Sequence, residues 1–166
     1  MSKALFVIDM QEATMGKNYA KMFKYPTDLL KKINDVIQNT DAEVVVYIRN
    51  LMKHNLLNRF APVKCFDGTK EAELVEGLAV ISENIFDKFE GNAFSNGELD
   101  SFLKANNITE VEIIGVDGGG CVSLTALGAV DAGYKVILNT VAIGTVFEQK
   151  KMKYFEKLEK LGAKFV

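Results

Sequence analysis

Short runs of apolar, largely β-branched residues alternate along the chain with longer segments whose apolar residues recur at helical spacing. Residues 44–48 are an example of the first kind, and residues 27–38 are an example of the second. Strands this apolar, separated by helices, are typical of a parallel sheet that is covered on both faces. The pattern therefore predicts an α/β fold of three layers, with a central parallel sheet of about six strands.

The individual elements follow from the same patterns and from helix start and stop residues. We expect strands at residues 5–8, 44–48, 80–86, 111–116, 134–138 and 163–166. We expect helices at residues 27–38, 98–106, 121–132 and 149–161. No repeat, low-complexity tract or linker interrupts the sequence, so a single domain over residues 1–166 is predicted.

Composition narrows the function classes. Of the 166 residues, 48% are hydrophobic, enough for a sizeable core, and the net charge of −2 gives no polyanion-binding surface. No apolar run reaches the roughly 18–20 residues that span a bilayer, and the first apolar stretch is too short for a signal peptide. The two cysteines, Cys65 and Cys121, lack CxxC spacing and are expected to be free thiols. We expect a cytoplasmic protein whose partners are neither nucleic acid nor membrane.

Polar residues follow three of the predicted strands at the point where each strand ends. These are Asp9, Lys88 and the loop 117–121. In open parallel sheets, chemistry gathers outside the carboxyl ends of the strands. The presence of polar residues at three strand ends, and not any one of these residues alone, is the main indication of function in the sequence.

Cys121 follows a strand and a glycine-rich turn and stands at the start of a predicted helix. The positive end of a helix favours the thiolate, and unpaired backbone N–H groups there can stabilise an oxyanion. Two alternatives stay open, a buried structural cysteine and a nucleotide-binding domain whose glycine run holds a phosphate. Against the second, Asp117 stands where GxGxxG needs its second glycine, and the Lys-Ser/Thr ending of a P-loop is absent.

Asp9 and Lys88 are ambiguous when each is taken alone. Asp9 could cap a turn, and Lys88 could be a solvated surface charge. Together with Cys121 they form a chemical unit, because Asp9 could take the thiol proton as a general base. Lys88 could hold both groups in register, and its ammonium would lower the pKa of the thiol.

Three motifs resemble those of the isochorismatase-like cysteine hydrolases, the superfamily of nicotinamidase, N-carbamoylsarcosine amidase and isochorismatase. They occur in the family's order and span nearly the whole chain. The motifs are Val7-Ile8-Asp9-Met10-Gln11, then Lys88-Phe89-Glu90-Gly91-Asn92-Ala93-Phe94, and finally Gly115-Val116-Asp117 with Cys121-Val122-Ser123-Leu124-Thr125-Ala126, Ala129 and Gly133-Tyr134.

The resemblance implies a Rossmann-like, isochorismatase-like fold and a catalytic triad of Asp9, Lys88 and Cys121. It implies a cis peptide bond between Val116 and Asp117, which would aim the N–H groups of Asp117 and Cys121 at an oxyanion. The implied activity is hydrolysis of a small-molecule amide, or a related C–N or C–O bond, through a Cys121 thioester with Asp9 as general base. A homo-oligomer, a dimer or larger, is also implied.

The sequence departs from the family's pattern at two places. Gly118 stands where the family often has Thr, within the run Gly118-Gly119-Gly120. Members that hold a metal use an Asp and several His after the second strand, where this chain has Arg49-Asn50-Leu51 and its single histidine, His54. Since a zinc-type site needs three or four ligands, neither a metal nor another cofactor is expected.

The substrate pocket is less determined than the triad. Gln11 could form hydrogen bonds in the site, and four aromatic residues are candidates for its walls: Tyr19, Phe23, Phe60 and Phe94.

Gly118 and the shortened segment between residues 51 and 78 motivate an alternative function of a different class. In that alternative, the protein keeps the fold but is a catalytically silent small-molecule-binding or scaffold protein.

Overall fold

Six parallel strands form the centre of the computed structural model, which describes residues 2–19, 23–56, 58 and 63–166. The strands lie in the order β3-β2-β1-β4-β5-β6, and every neighbouring pair is parallel. The predicted α/β fold with a six-stranded parallel sheet is confirmed. The strands are β1 (Lys3–Ile8), β2 (Val44–Asn50), β3 (Ile85–Lys88), β4 (Glu110–Val116), β5 (Lys135–Gly144) and β6 (Lys164–Phe165).

Helices cover both faces of this sheet. They are α1 (Glu12–Met15), α2 (Leu29–Gln38), α3 (Gly97–Ala105), α4 (Cys121–Asp131) and α5 (Glu148–Lys160), with short 3₁₀ helices at Lys70–Ala72 and Ala93–Ser95. No helix in the described ranges has both the length and the apolar character to cross a bilayer.

Alternate residues of β1 separate the two cores, as the period of a strand requires. Phe6 belongs to a core that also contains buried residues of α3, α4 and α5. Leu5 and Val7 belong to a second core with α2, whose buried residues recur at positions 29, 33 and 37. The sheet is therefore a middle layer between two helical layers, as the apolar strands predicted.

The predicted strand at residues 80–86 was placed too early, since β3 occupies Ile85–Lys88. Side-chain bonds attach the residues just before β3 to β2, together with a backbone bond from the N–H of Tyr47 to the carbonyl of Asn84. The Ser82 hydroxyl and the Asn84 amide both donate to the carbonyl of Val45. This shift makes Lys88 the last residue of β3. The four-residue helix α1 and the extension of β5 to Gly144 were not predicted.

Gly115 sets the spacing between β1 and β4 at the edge where these strands end. It pairs with Ile8, has a φ of 114°, and a Cβ at this position would lie 2.2 Å from the Ile8 carbonyl oxygen. L-residues rarely adopt this φ, and the contact leaves no space for a side chain. The close approach places Asp9 beside the turn that leads to Cys121.

We predict that Gly115→Ala lowers the free energy of unfolding by about 2–4 kcal/mol, because it combines backbone strain with a clash against β1. Urea unfolding measures the change. Gly97→Ala is the matched control, since nothing lies within 4 Å of a Cβ built there. The control should change stability by less than about 1 kcal/mol. Similar, small effects of the two substitutions would contradict the close approach.

Candidate active site

The carboxyl ends of β1, β3 and β4 bring the three predicted polar side chains together. Asp9 directly follows β1 and Lys88 ends β3, while Cys121 begins α4 after the turn that follows β4. Asp9 has a φ of 51°, a left-handed conformation that Asp tolerates better than most residues. This conformation ends β1 at Asp9, whose N–H still donates to the carbonyl of Ile48.

The ammonium of Lys88 is the centre of this site. Its Nζ lies 3.0 Å from Asp9 Oδ2, 3.1 Å from Asn50 Oδ1 and 3.2 Å from Cys121 Sγ. Lys88 is only 1% exposed, and Asp9 is 4% exposed. An ammonium has three N–H donors, so each donor of this buried cation has one acceptor.

The pKa of Lys88 is raised above its usual value, although burial by itself lowers it. The negative charge of Asp9 and the contact with Cys121 outweigh the burial. A buried charge persists only when it is paired and hydrogen-bonded. Lys88 is therefore a charged ammonium at neutral pH, and it bridges the carboxylate and the sulfur.

The surroundings of the Cys121 thiol oppose the thiolate more than the helix start and Lys88 favour it. Burial, followed by the negative charge of Asp9, raises the pKa of Cys121 to about 12, and Lys88 only partly opposes these effects. The thiol is therefore protonated at neutral pH and needs a base to become a nucleophile. Asp9 Oδ1 is buried and has no hydrogen-bond partner among the described residues, so it keeps a lone pair for a proton.

The turn before Cys121 contains the peptide bond that the resemblance implied to be cis, and the Val116–Asp117 bond is indeed cis. The side chain of Asp117 ties this turn together. Its Oδ1 accepts from the N–H of Gly119 at 2.7 Å, and its Oδ2 accepts from the Tyr25 hydroxyl at 3.2 Å and from the N–H of Val146.

The backbone N–H groups of this turn fall into two sets. Those of Gly118, Gly119 and Gly120 donate to protein oxygens, so they are not available to a phosphate. Those of Asp117 and Cys121 have no acceptor within the described part of the chain. The glycine run therefore lacks the free donors of a nucleotide site, whereas two donors beside the thiol are uncommitted.

Close packing of the segment after β5 explains why residues 118 and 119 are glycines. A Cβ on Gly118 would lie 2.4 Å from Thr145 Oγ1, and a Cβ on Gly119 would lie 2.2 Å from the carbonyl oxygen of Phe147. The family often has Thr at position 118, and in this protein Thr145 occupies the space that such a side chain would need. Ser123 adds a further bond, since its hydroxyl donates to the carbonyl of Gly118 at 2.6 Å.

A cavity of about 420 Å³ opens above the thiol. Phe23 and Tyr25 stack with their ring centroids 6.1 Å apart and form part of the wall. The polar lining consists of Asp9, Gln11, Thr14, Asn50, Asp117 and the two cysteines, and the apolar lining includes Met52, Val63, Val116 and Phe147. A small, mostly apolar molecule fits such a space.

Two of the five predicted substrate contacts line this cavity, Gln11 and Phe23. Tyr19 and Phe94 are not in its lining. Phe94 packs against Phe6 and Tyr134 on the face of the sheet that α3, α4 and α5 cover. It is therefore a packing residue of the core and not a wall of the cavity. Phe60 lies outside the described residues.

Several lining residues were not predicted, among them Tyr25, Asn50, Met52 and Phe147. Asn50 could have been anticipated, because it ends β2 at the same edge of the sheet as the triad. Phe147 reaches the cavity from the segment between β5 and α5, and no local pattern in the sequence marks it.

The residues that follow β2 do not fit a metal ion. Within the described ranges, no three His, Cys, Asp or Glu side chains are grouped to hold one. His54 stacks on Phe66. The thiol of Cys65 donates to the carbonyl of Asn50 at 3.1 Å, and burial raises its pKa to about 11, so it is protonated and neutral. A metal-binding cysteine must lose its proton.

Comparison with known proteins shows the family. The sequence model of the isochorismatase domain matches residues 3–166, and the chain belongs to this family. A curated relative from Arabidopsis thaliana, named a probable inactive nicotinamidase, is 27% identical over 161 residues, which cover 86% of this chain and 81% of the relative.

Solved structures of similar proteins have the same fold. PnC1 of L. infantum, in complex with nicotinate, is 21% identical and has a TM-score of 0.89, covering 99% of this chain and 92% of its own. The pyrazinamidase of Pyrococcus horikoshii, in complex with zinc, is 28% identical with a TM-score of 0.79, covering 100% and 99%. The first likeness concerns the fold alone.

We predict that Asp9→Asn lowers the pKa of Cys121 by about one unit or more. The substitution removes a negative charge that disfavours the thiolate and leaves Lys88, which favours it. The pH dependence of Cys121 alkylation by iodoacetamide, measured by peptide mass spectrometry, gives this pKa. Asp35→Asn, on the exposed face of α2, is the control and should leave it unchanged. A rise in the pKa would show that Asp9 does not act on the sulfur through its charge.

Proposed function

We propose that this protein is a cysteine hydrolase that cleaves a small-molecule amide, or a related C–N or C–O bond. The observation that carries the proposal is the contact of one buried ammonium with both a carboxylate and a thiol at the floor of a cavity. This arrangement combines a nucleophile, a base and a fixed charge within hydrogen-bonding reach.

In the proposed reaction, Asp9 Oδ1 accepts the thiol proton while Cys121 Sγ attacks the carbonyl carbon of the substrate. The oxyanion then accepts hydrogen bonds from the backbone N–H groups of Asp117 and Cys121. Asp9 passes its proton to the leaving nitrogen, the C–N bond breaks, and a thioester and a free amine form. Water, deprotonated by Asp9, attacks the thioester and releases the carboxylic acid and the thiol.

The role of Lys88 in this reaction is electrostatic. It keeps its proton throughout, because its pKa is raised by both partners. When negative charge moves from Asp9 to the sulfur, the ammonium lies within hydrogen-bonding distance of both groups. No step passes through a metal, since the residues around Asn50 do not fit one.

The sequence already motivated the alternative of a catalytically silent small-molecule-binding or scaffold protein. The name of the Arabidopsis relative, which describes that protein as probably inactive, also favours it. Against it stand the contacts among Asp9, Lys88 and Cys121.

We further propose that the protein acts in the cytoplasm on a small molecule and assembles as a homo-oligomer. Sedimentation of the purified protein tests the assembly.

We predict that a panel of small amides, including nicotinamide, pyrazinamide and N-carbamoyl compounds, contains a substrate that releases ammonia or an amine. Cys121→Ala and Asp9→Asn should each lower turnover by about a thousandfold or more, because each removes a group that reacts. Adding hydroxylamine to the wild type should trap the thioester as a hydroxamate.

Lys157→Met, an exposed change on α5, is the control for this experiment and should keep full turnover. Absence of turnover with every amide, together with no hydroxamate, would favour the catalytically silent alternative. Turnover that persists in Cys121→Ala would exclude the thioester.

We also predict that dialysis against a chelator leaves turnover and the melting temperature unchanged. The amide, thiol and carbonyl groups that occupy the end of β2 already bond one another, so a metal has no ligand set there. Elemental analysis of the dialysed protein accompanies the assay. Turnover that is lost on dialysis and restored by Zn²⁺ would contradict this prediction.

A further inference from the structure

Among the described residues, only one of the two side-chain polar atoms of Asn50 has a hydrogen-bond partner. Its Oδ1 accepts from Lys88 Nζ at 3.1 Å, whereas its Nδ2 has no acceptor among the described residues. Because an ammonium only donates hydrogen bonds, the amide oxygen must face Lys88, and the NH₂ group is turned away from it. The chemistry of the contact therefore fixes the orientation of this amide.

The backbone of Asn50 is held separately from its side chain. Its N–H donates to Gln11 Oε1 at 2.7 Å, and its carbonyl accepts from Gln11 Nε2 at 3.3 Å and from the Cys65 thiol at 3.1 Å. These bonds persist when the side chain is replaced. Substitutions of Asn50 therefore remove the side-chain amide, while the backbone bonds to Gln11 and Cys65 still hold the end of β2.

The other polar side chains in the described lining of the cavity have no free donor. Apart from the reacting thiol of Cys121, the lining side chains that carry a polar hydrogen each donate to a protein group: Gln11, Thr14, Tyr25 and Cys65. The NH₂ group of Asn50 is thus the side-chain donor in the described lining that a bound molecule can use. The N–H groups of Asp117 and Cys121 serve the oxyanion in the proposed reaction.

The charges of the lining restrict the substrate as well. Its charged side chains are Asp9 and Asp117, both carboxylates, and the described lining includes no cationic side chain. The ammonium of Lys88 has already used its three donors. A substrate carboxylate would therefore meet repulsion without a compensating cation.

We infer that Asn50 is a positioning residue for Lys88 and also determines specificity, by donating from Nδ2 to an acceptor on the apolar body of an uncharged amide substrate. The inference rests on the proposed hydrolysis and adds to it the class of substrate. A substrate with an acceptor at this place should be strongly preferred over one without it. When a substrate without an acceptor binds, the NH₂ group of Asn50 loses water and finds no partner, which costs free energy.

Four amides of nearly identical shape test the donor: benzamide, which has no ring acceptor, and picolinamide, nicotinamide and isonicotinamide, which each place one ring nitrogen differently. We expect the wild type to prefer at least one pyridine amide over benzamide by about tenfold or more in kcat/KM. Equal values for all four compounds would overturn the specificity role.

Two variants separate the two roles of Asn50. Asn50→Asp keeps an acceptor for Lys88 but lacks the donor, so the preference for the pyridine amide over benzamide should fall to about one. Asn50→Ala lacks both groups, so the preference should fall and kcat should drop for benzamide as well. Asn106→Asp, at the exposed end of α3, is the matched control and should keep the wild-type preference. A preference for the pyridine amide that persists in Asn50→Asp would contradict the proposal that Asn50 Nδ2 donates to the substrate.

Proton exchange of the Lys88 ammonium, followed by ¹⁵N NMR of the substrate-free protein, tests the positioning role. With three acceptors, these protons should exchange slowly in the wild type and in Asn50→Asp. They should exchange about tenfold faster or more in Asn50→Ala, which leaves one N–H without an acceptor. Equal exchange in Asn50→Ala and the wild type would overturn the positioning role.

These measurements also distinguish failure of the inference from failure of the proposed function. If the wild type cleaves none of the four amides, binding tests whether Asn50 donates to them. The dissociation constants of the four amides are then measured for Cys121→Ala and for the double variant that combines Cys121→Ala with Asn50→Asp. A pyridine preference in binding that the double variant loses supports Asn50, and its absence overturns the inference. If turnover is normal but Asn50 variants change neither preference nor exchange, the inference fails and the hydrolase assignment stands.

Discussion

The buried ammonium of Lys88 is the interaction on which the rest of the site depends. An unpaired cation in this position would cost several kcal/mol, and only a complete set of acceptors makes its burial affordable. Those acceptors come from the ends of β1 and β2 and from the start of α4. The site therefore forms only when these strands stand in their observed register, so the chemistry of the cavity and the pairing of the sheet constrain each other.

The same ammonium bears on how the protonated thiol of Cys121 would become a nucleophile in the proposed reaction. The start of a helix and a nearby cation favour the thiolate, but burial and the charge of Asp9 oppose it more strongly. The resting state keeps its negative charge on the carboxylate, where Lys88 already pairs it. In the proposed reaction, the sulfur becomes charged only when Asp9 removes its proton, and the protonated thiol is a poor nucleophile until then.

Much of this arrangement could be predicted from the sequence, because it depends on periodicity and on strand ends. The apolar runs gave the sheet, and the position of Asp9, Lys88 and Cys121 after strands gave their convergence. The walls of the cavity could not be predicted in the same way. Phe94 was misplaced because an aromatic residue near a motif is equally compatible with the core, and Phe147 was missed because its position depends on packing against residues distant in sequence.

The tight contact between the glycine turn and the segment after β5 links two parts of the chain that have no chemical role in common. Gly118 and Gly119 leave space that Thr145 and Phe147 fill. A side chain at position 118 would require residue 145 to be smaller or displaced, and a side chain at position 119 would displace Phe147, which lines the cavity above the sulfur. The two segments can be expected to diverge together during evolution, so that a change in the turn alters which molecules reach the thiol.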